Sequence, residues 1–335
     1  METTAMVLNK YGEDATFAKS EISLGRLKDD QVLVEVIATS INPVDNKIMR
    51  GAPIGPELPG PIHGDVAGIV IETGKKVTAF NSGDQVYGIA GGLIGYGGAT
   101  ANHMIVNESL IYHKPKTLSF AEAASLPLVF ITAYEGLVEK ANLQKGQNIL
   151  VIGGTGGVGH QAVQLAKILG ANVTATVSSV EKGDITKSLG ADIVINRNET
   201  PQDEYCKIAN ADADGGFDVV FDTVGRDNIA KMWELVRPNG QVITTSSTGV
   251  YDLTPAHMKG LTLHVVFMLL PMLTNHDQKR HQEILEYLSQ RVDGGTIKTL
   301  VDEKPFNLAE INEAHAYFES GQHIGKIVID NTNKI

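Results

Sequence analysis

The stretch Ile149-Leu150-Val151-Ile152-Gly153-Gly154-Thr155-Gly156-Gly157-Val158-Gly159 constrains this chain more than any other. Four apolar residues in a row, with no polar alternation, predict a parallel strand covered on both faces. Beyond the glycines, Val158, Ala162, Leu165, Ala166 and Leu169 recur at helical spacing, and Gly170 stands where a left-handed C-terminal residue belongs. The glycine-rich turn therefore joins a buried strand to an amphipathic helix.

Gly154, Gly156 and Gly159 match G-x-G-x-x-G. In that pattern the first glycine allows the tight turn, the second lets a pyrophosphate approach the backbone, and the third lets helix and strand pack closely. The helix start then offers unpaired N–H groups and the positive end of its dipole to phosphate, with Thr155, Gly157 and Val158 in the same turn. A second strand over 172–177 completes the unit expected for dinucleotide binding. An NAD-preferring site carries an acid about 20 positions on, which grips the ribose 2′-hydroxyl. Here that position is Ser178, with Thr176 and Ser179 beside it and Lys182 close behind. Neutral donors plus a cation suit a 2′-phosphate; the competing reading makes Lys182 an ordinary solvated lysine.

A chain of 335 residues is long for one domain and right for two. A net charge of -11 argues against a nucleic-acid backbone or an anionic membrane as the main partner. The longest apolar run, 261–273, is broken by His264 and Pro271 and falls short of a membrane span. The opening Met1-Glu2-Thr3-Thr4 lacks a basic-then-apolar signal, and a lone cysteine, Cys206, makes no intrachain disulfide; both fit a cytoplasmic protein.

Residues 1–126 read as mostly β: strands at 32–37 and 69–72, and two strand-like pieces within 77–87 around the turn Asn81-Ser82-Gly83-Asp84. The glycine-rich run 91–98 reads as a loop placed over a ligand. Ser119 is placed to cap a helix from Phe120, Pro127 interrupts, and a second helix runs through Thr132 to Leu137. Strands at 193–195, 219–221, 242–245 and 261–267 alternate with helical segments, which predicts an open parallel sheet wound on both faces. Past His276 come a helix through Leu285, a strand near 299–301, a helix over 308–318 and a last strand at 326–329, a tail able to pack back onto the first module.

Several motifs in order resemble one family. They are Asn42-Pro43-Val44-Asp45-Asn46-Lys47 with Gly51, Gly64-Asp65-Val66-Ala67-Gly68, Gly83-Asp84-Gln85-Val86, Ala123-Ala124-Ser125-Leu126-Pro127, the glycine turn, Asp218 through Gly225, and Gly325-Lys326-Ile327-Val328. Together they look like the medium-chain dehydrogenase/reductase superfamily, in its zinc-free quinone oxidoreductase and enone (alkenal) reductase branch. The resemblance implies an α/β protein: a GroES-like β-barrel catalytic domain over 1–126, a Rossmann doubly wound parallel sheet over 127–267 binding NADPH, and a segment 268–335 returning to the catalytic domain. It further implies a cleft holding NADPH and a homodimer joined through the strand near 261–267. Cofactor contacts carry over to Lys47, Thr132, Gly157, Val158, Ser178, Ser179, Lys182, Val224, Ser246, Ser247 and Lys326. Asn196 sits where many members place a tyrosine near the adenosine half.

Zinc alcohol dehydrogenases of the superfamily use Cys and His at positions held here by Asn42 and Gly64, and one cysteine cannot form their structural lobe, so no metal is expected. Hydride delivery to an already polarised acceptor, a quinone or an α,β-unsaturated carbonyl, is the activity the resemblance implies. Asn42 and Lys47 then hold the developing oxyanion, with Tyr96 and His103 as weaker possibilities. Asn42 has an equal structural role open to it, capping the turn before Pro43. An enoyl-thioester reductase is the enzymatic alternative, disfavoured because 48–61 contains no tyrosine. A non-catalytic NADPH-binding protein of the crystallin kind is the other.

Overall fold

The computed structural model describes residues 1–335, apart from the side chain of Asp212. The chain divides into two compact units: Met1–Leu128 with Leu269–Gly295 and Thr299–Ile335, and Val129–Met268 with Thr296–Lys298.

In the second unit six strands form one sheet, in the spatial order Ile193–Asn196, Asn172–Val177, Asn148–Ile152, Phe217–Asp222, Val236–Thr244, Thr262–Val265. Every neighbouring pair is parallel. Counted along the chain this is the order 3-2-1-4-5-6, which reverses direction between Asn148–Ile152 and Phe217–Asp222. Both central strands are buried on both faces, which is why their sequences do not alternate. One face packs Leu150, Val220 and Val242 against Ile229, Met232 and Trp233 of the helix Asn228–Leu235. At the sheet's edge the strand expected over 261–267 contracts to Thr262–Val265, the four residues in register with Gln241–Thr244, after which only the Val266 N–H reaches back, to the Thr244 carbonyl at 2.9 Å.

The first unit is mostly antiparallel, with one parallel pair, Phe306–Asn307 against Val328–Asp330, at its edge. Its longest strand, Gln31–Ser40, pairs with Asp65–Thr73, His103–Asn107 and Val328–Asp330. The register Val328↔Ser40 draws the end of the chain onto its beginning and sets Lys326 beside Ile41 and Asn42. Three local expectations change. Pro127 opens the helix Pro127–Tyr134 rather than interrupting one, as suits a residue whose missing N–H costs nothing in a first turn. Residues 77–80 form no strand; Asp84 instead closes the turn by accepting from the Asn81 N–H at 2.8 Å, and only Gln85–Ile89 extends. Near 299–301 there is a single bridge, Val301 to Lys326. Ser119 caps Phe120–Ala124 as expected, in a capping box with Glu122.

Candidate functional site

The glycine turn leaves the strand Asn148–Ile152 at the point where the sheet reverses. Gly153 takes the left-handed conformation, φ +79°, so the tight-turn role expected of Gly154 belongs one residue earlier. Gly154 is glycine for space: a Cβ there would lie 2.7 Å from Thr186 Cγ2. At Gly159 a Cβ would meet the Gly153 carbonyl oxygen at 2.0 Å, which forbids any side chain and confirms the close helix–strand approach. Gly156 is the N-cap of the helix Gly157–Ile168 and no side chain caps it. The first-turn N–H groups are therefore left to a ligand, an arrangement that fits a pyrophosphate.

Around this turn the expected contacts fall into two groups. Thr176 is buried and accepts from the Gly153 N–H through Oγ1 at 3.0 Å, so it holds the turn. Ser179 caps the helix Val180–Ser188, accepting from the Lys182 N–H at 3.3 Å. Ser178 and Lys182 are half-buried, and the Lys182 ammonium pairs with no carboxylate among the described residues. Asn198 donates to the Ser178 carbonyl at 2.8 Å, while its own N–H is held by Asn196 Oδ1 at 3.2 Å, so Asn196 braces the loop that carries Ser178 from the end of its strand. After Phe217–Asp222 the chain turns on Asp222, fully buried, whose carboxylate accepts from the N–H groups of Val224 and Gly225 and from Asn228 Nδ2. That turn exposes Val224. Ser246 and Ser247 follow the next strand half-buried, the Ser246 carbonyl accepting from Arg226. Thr132 and Thr155 are buried. Asp222 carries a structural role that the motif reading did not single out.

The first unit holds a second constellation, built on the helix Pro43–Met49. Asn42 is its N-cap, and the Asp45 carboxylate takes the Asn42 N–H at 2.7 Å. The Asn42 side chain is engaged elsewhere: Nδ2 donates to Asp65 Oδ2 at 2.8 Å, and Oδ1 accepts from Lys326 Nζ at 2.5 Å. A carboxylate at one end and an ammonium at the other fix which way the amide faces. Asp65 also accepts from Ser40 Oγ and from the Leu128 N–H. Lys326 adds a bond to the Ile41 carbonyl at 2.7 Å and an ion pair with Asp65 at 3.5 Å, with side chains 3% and 0% exposed. Its three N–H donors are thus directed at Ile41, Asn42 and Asp65, all in the first unit.

Burial lowers the pKa of Lys326, against the opposing pull of Asp65 and Asp45. Burial raises Asp45 to about 7, although the Asn42 N–H and Lys326 act to lower it. At the far end of the helix Asn46 Nδ2 donates to Glu319 Oε1 at 2.8 Å, and Arg50 Nη2 donates to the same oxygen at 2.7 Å. Asn46 Oδ1 therefore faces His315 Nδ1, at 2.8 Å, which assigns the proton to that nitrogen. His315 Nε2 is left as the acceptor from His63 Nε2 at 2.9 Å. Burial lowers the pKa of both rings, His315 to about 4.

Lys47 lies exposed on this helix. Tyr96 is bound within the fold, its hydroxyl donating to the Met272 carbonyl at 3.0 Å and accepting from Gln278 Nε2 at 2.6 Å. The surrounding glycine run is anchored, with Gly92 bonded to Gly97 and Ile94 to Ile54. His103 is a strand residue 3.1 Å from Thr3 Oγ1. Gly64 leaves no room for a ligating side chain, since a Cβ would stand 2.8 Å from the Gly91 oxygen. Among the described residues no three His, Cys, Asp or Glu side chains gather to hold a metal.

A mostly antiparallel unit closed by the chain's own tail, in one chain with a 3-2-1-4-5-6 parallel sheet that has a glycine turn at its reversal, defines a medium-chain dehydrogenase/reductase. Residues 28–116 match the family model described as alcohol dehydrogenase GroES-like domain, and residues 189–329 match the one described as zinc-binding dehydrogenase. The chain is 36% identical to 2-methylene-furan-3-one reductase of Solanum lycopersicum, over 98% of this chain and 79% of that protein. It is 33% identical to the chloroplastic NADPH-dependent alkenal/one oxidoreductase of Arabidopsis thaliana, with the same coverage. Among solved structures, an alcohol dehydrogenase superfamily protein from Novosphingobium aromaticivorans superposes with a TM-score of 0.92 at 34% identity, covering 98% of this chain and 99% of that one. The Escherichia coli quinone oxidoreductase, solved with NADPH, gives 0.86 at 25% identity, covering 98% and 99%. The chain belongs to the medium-chain dehydrogenase/reductase superfamily, in its quinone and enone reductase branch.

Proposed function

We propose that this protein is an NADPH-dependent reductase of α,β-unsaturated carbonyls and quinones. The observation that carries the reading is the uncapped helix start at Gly156 beside a ribose loop bearing Ser178 and Lys182, with no acid at the ribose position. The first-turn N–H groups of Gly157, Val158 and Gly159 hold the pyrophosphate, and Ser178 and Lys182 hold the 2′-phosphate. Thr132, Thr155, Asn196, Val224, Ser246 and Ser247 line the rest of the dinucleotide. When bound, NADPH supplies hydride to the electrophilic carbon of the acceptor. The Lys47 ammonium stabilises the negative charge that develops on the acceptor oxygen.

Asn42 and Lys326 are read as anchors of the Lys47 helix, because the polar groups of each are bound within the fold. Tyr96 is read as structural for the same reason. We further propose that catalysis is zinc-independent, which the side-chain clash at Gly64 supports. The protein is proposed to be a cytoplasmic homodimer joined along the edge strand Thr262–Val265, where Leu263, Val265 and Phe267 are exposed. No helix among the described residues is long and apolar enough to cross a membrane.

The test is oxidation of NADPH and of NADH against a panel of small enones, enals and quinones, run with and without a strong chelator. Turnover of enones and quinones with NADPH, unaffected by chelator, is the expected result. Turnover of none of them, or a requirement for stoichiometric zinc, overturns the reading. Light scattering decides the dimer.

A further inference from the structure

The helix Pro43–Met49 has seven residues, too few to be stable in water without tertiary support. Its support is concentrated at its two ends and comes from far along the chain. At the start, Lys326 binds the Ile41 carbonyl and the Asn42 amide oxygen, and Asp65 takes the Asn42 amide N–H. At the finish, Glu319 Oε1 accepts from both Asn46 and Arg50, and His315 holds the other side of the Asn46 amide. His315 is itself fixed by His63, and by Phe17, whose ring stacks on it at 5.2 Å. Between the two clamps stands Lys47, exposed, flanked in sequence by buried Asn46 and buried Ile48.

The geometry points to a positioning role for the C-terminal segment: we propose that Glu319 and His315, acting through Asn46, and Lys326 with Asp65, acting through Ile41 and Asn42, hold the backbone of Lys47 in register for the acceptor oxygen. This rests on the reading of Lys47 as the donor to that oxygen. None of the clamping groups is asked to touch the substrate. Lys47 has a long, flexible stem, so its reach to one atom depends on where its Cα is held, and a displacement of about 1 Å costs catalysis heavily. Nothing in the Asn-Pro-Val-Asp-Asn-Lys motif names Glu319 or His315, which lie 273 and 269 positions from Asn46.

The test is a double-mutant cycle between Glu319→Ala and Lys47→Ala, read as kcat and KM for a small enone and for a quinone. NADPH affinity by fluorescence and amide hydrogen exchange over residues 43–50 are measured in parallel. Arg50→Ala, at the surface, is the second variant if Glu319→Ala fails to fold, and Glu319→Gln, which keeps an acceptor oxygen, is the rescue. Glu319→Ala is expected to lower enone kcat by roughly tenfold with little change in KM or NADPH affinity, and to speed exchange in residues 43–50. In the Lys47→Ala background it should cost nothing further, and Glu319→Gln should recover most of the rate. Losses that multiply in the double mutant overturn the positioning role, as does an unchanged enone rate in Glu319→Ala when Lys47→Ala is impaired. If Lys47→Ala itself is unimpaired, the donor reading falls, and the positioning role falls with it.

Discussion

Lys326 Nζ lies 2.5 Å from Asn42 Oδ1 although 284 positions separate the two residues. The pairing exists because Val328–Asp330 returns antiparallel to Gln31–Ser40, and it carries a buried charge into the first unit, where Asp65 is its counter-ion.

Removing that charge alone should be costly. Lys326→Met leaves Asp65 buried without a cation, and breaking one side of a buried pair costs about 3–5 kcal/mol. Urea unfolding followed by fluorescence should show a loss of that size. Adding Asp65→Asn should recover a large part of it, since the uncompensated carboxylate is then gone. A double variant no more stable than Lys326→Met would show that packing of the lysine stem, and not the pair, carries the energy.

Cofactor preference follows from the ribose loop. Ser178 and Lys182 should make NADPH bind more tightly than NADH by about 1–3 kcal/mol, the worth of one or two charge-assisted hydrogen bonds. Lys182→Ala should remove most of that difference while leaving NADH binding nearly unchanged. Fluorescence titration of both cofactors on both proteins decides it; equal affinities in the wild type would remove the 2′-phosphate assignment.

Much of the second unit was legible because its strands are buried on both faces, and such strands write themselves as largely apolar runs: 149–152 and 219–221 fall wholly in sheet strands, and 242–245 does so up to Thr244. The glycine turn was legible because glycine is demanded there by space and conformation, though the left-handed position proved to be Gly153. In the first unit local signals ran out. Tyr96 in a glycine-rich run looks like a loop tyrosine facing a ligand, and only its partners Met272 and Gln278, 176 and 182 positions away, show that its hydroxyl is engaged inside the fold. Lys326 reads as a cofactor contact until its three acceptors are seen, two of them near residue 42 and one at Asp65. His63 and His315 are 252 positions apart and carry no shared motif. Pairings of that separation are products of topology, and no short window of sequence encodes them.

The buried histidine pair predicts a pH dependence of stability. In the folded chain His315 is lowered to about 4 by burial, while in the unfolded chain it titrates near 6.5. Between those values the unfolded state binds the extra proton, so this contribution is present above pH of about 6.5 and is lost as pH falls towards 4, by an amount on the order of 3 kcal/mol. Asp45 works in the opposite sense: burial raises it to about 7, so its contribution is lost as pH rises through the same window. The whole-protein curve therefore mixes opposing slopes, with His63, also lowered by burial, adding to that of His315. Denaturant titrations from pH 4 to 7 on wild type and His315→Gln isolate the first, and the stability difference between them should narrow steadily as pH falls. A difference that stays constant with pH would mean that His315 titrates alike in the folded and unfolded chains and is not lowered by burial.

Lys47 separates enone reduction from quinone reduction. It is exposed on a helix held at both ends, and an ammonium near the carbonyl oxygen stabilises the enolate that forms as the β-carbon is reduced. An alternative role is a solvated lysine whose stem covers the helix. If the ammonium acts on the oxygen, Lys47→Ala should lower kcat/KM for a small enone by about ten- to a thousandfold, equivalent to about 1.4–4 kcal/mol of transition-state stabilisation. In a quinone the developing charge is spread over a conjugated ring with two oxygens, so its reduction depends less on one donor and its rate should fall less. Lys47→Arg keeps the charge but moves it onto a broader, planar group, and should restore part of the enone rate. Steady-state kinetics on the three proteins, with NADPH affinity measured separately, distinguish the roles. Enone turnover that is unchanged in Lys47→Ala, or that falls only in proportion to NADPH binding, would leave Lys47 without a part in the chemistry.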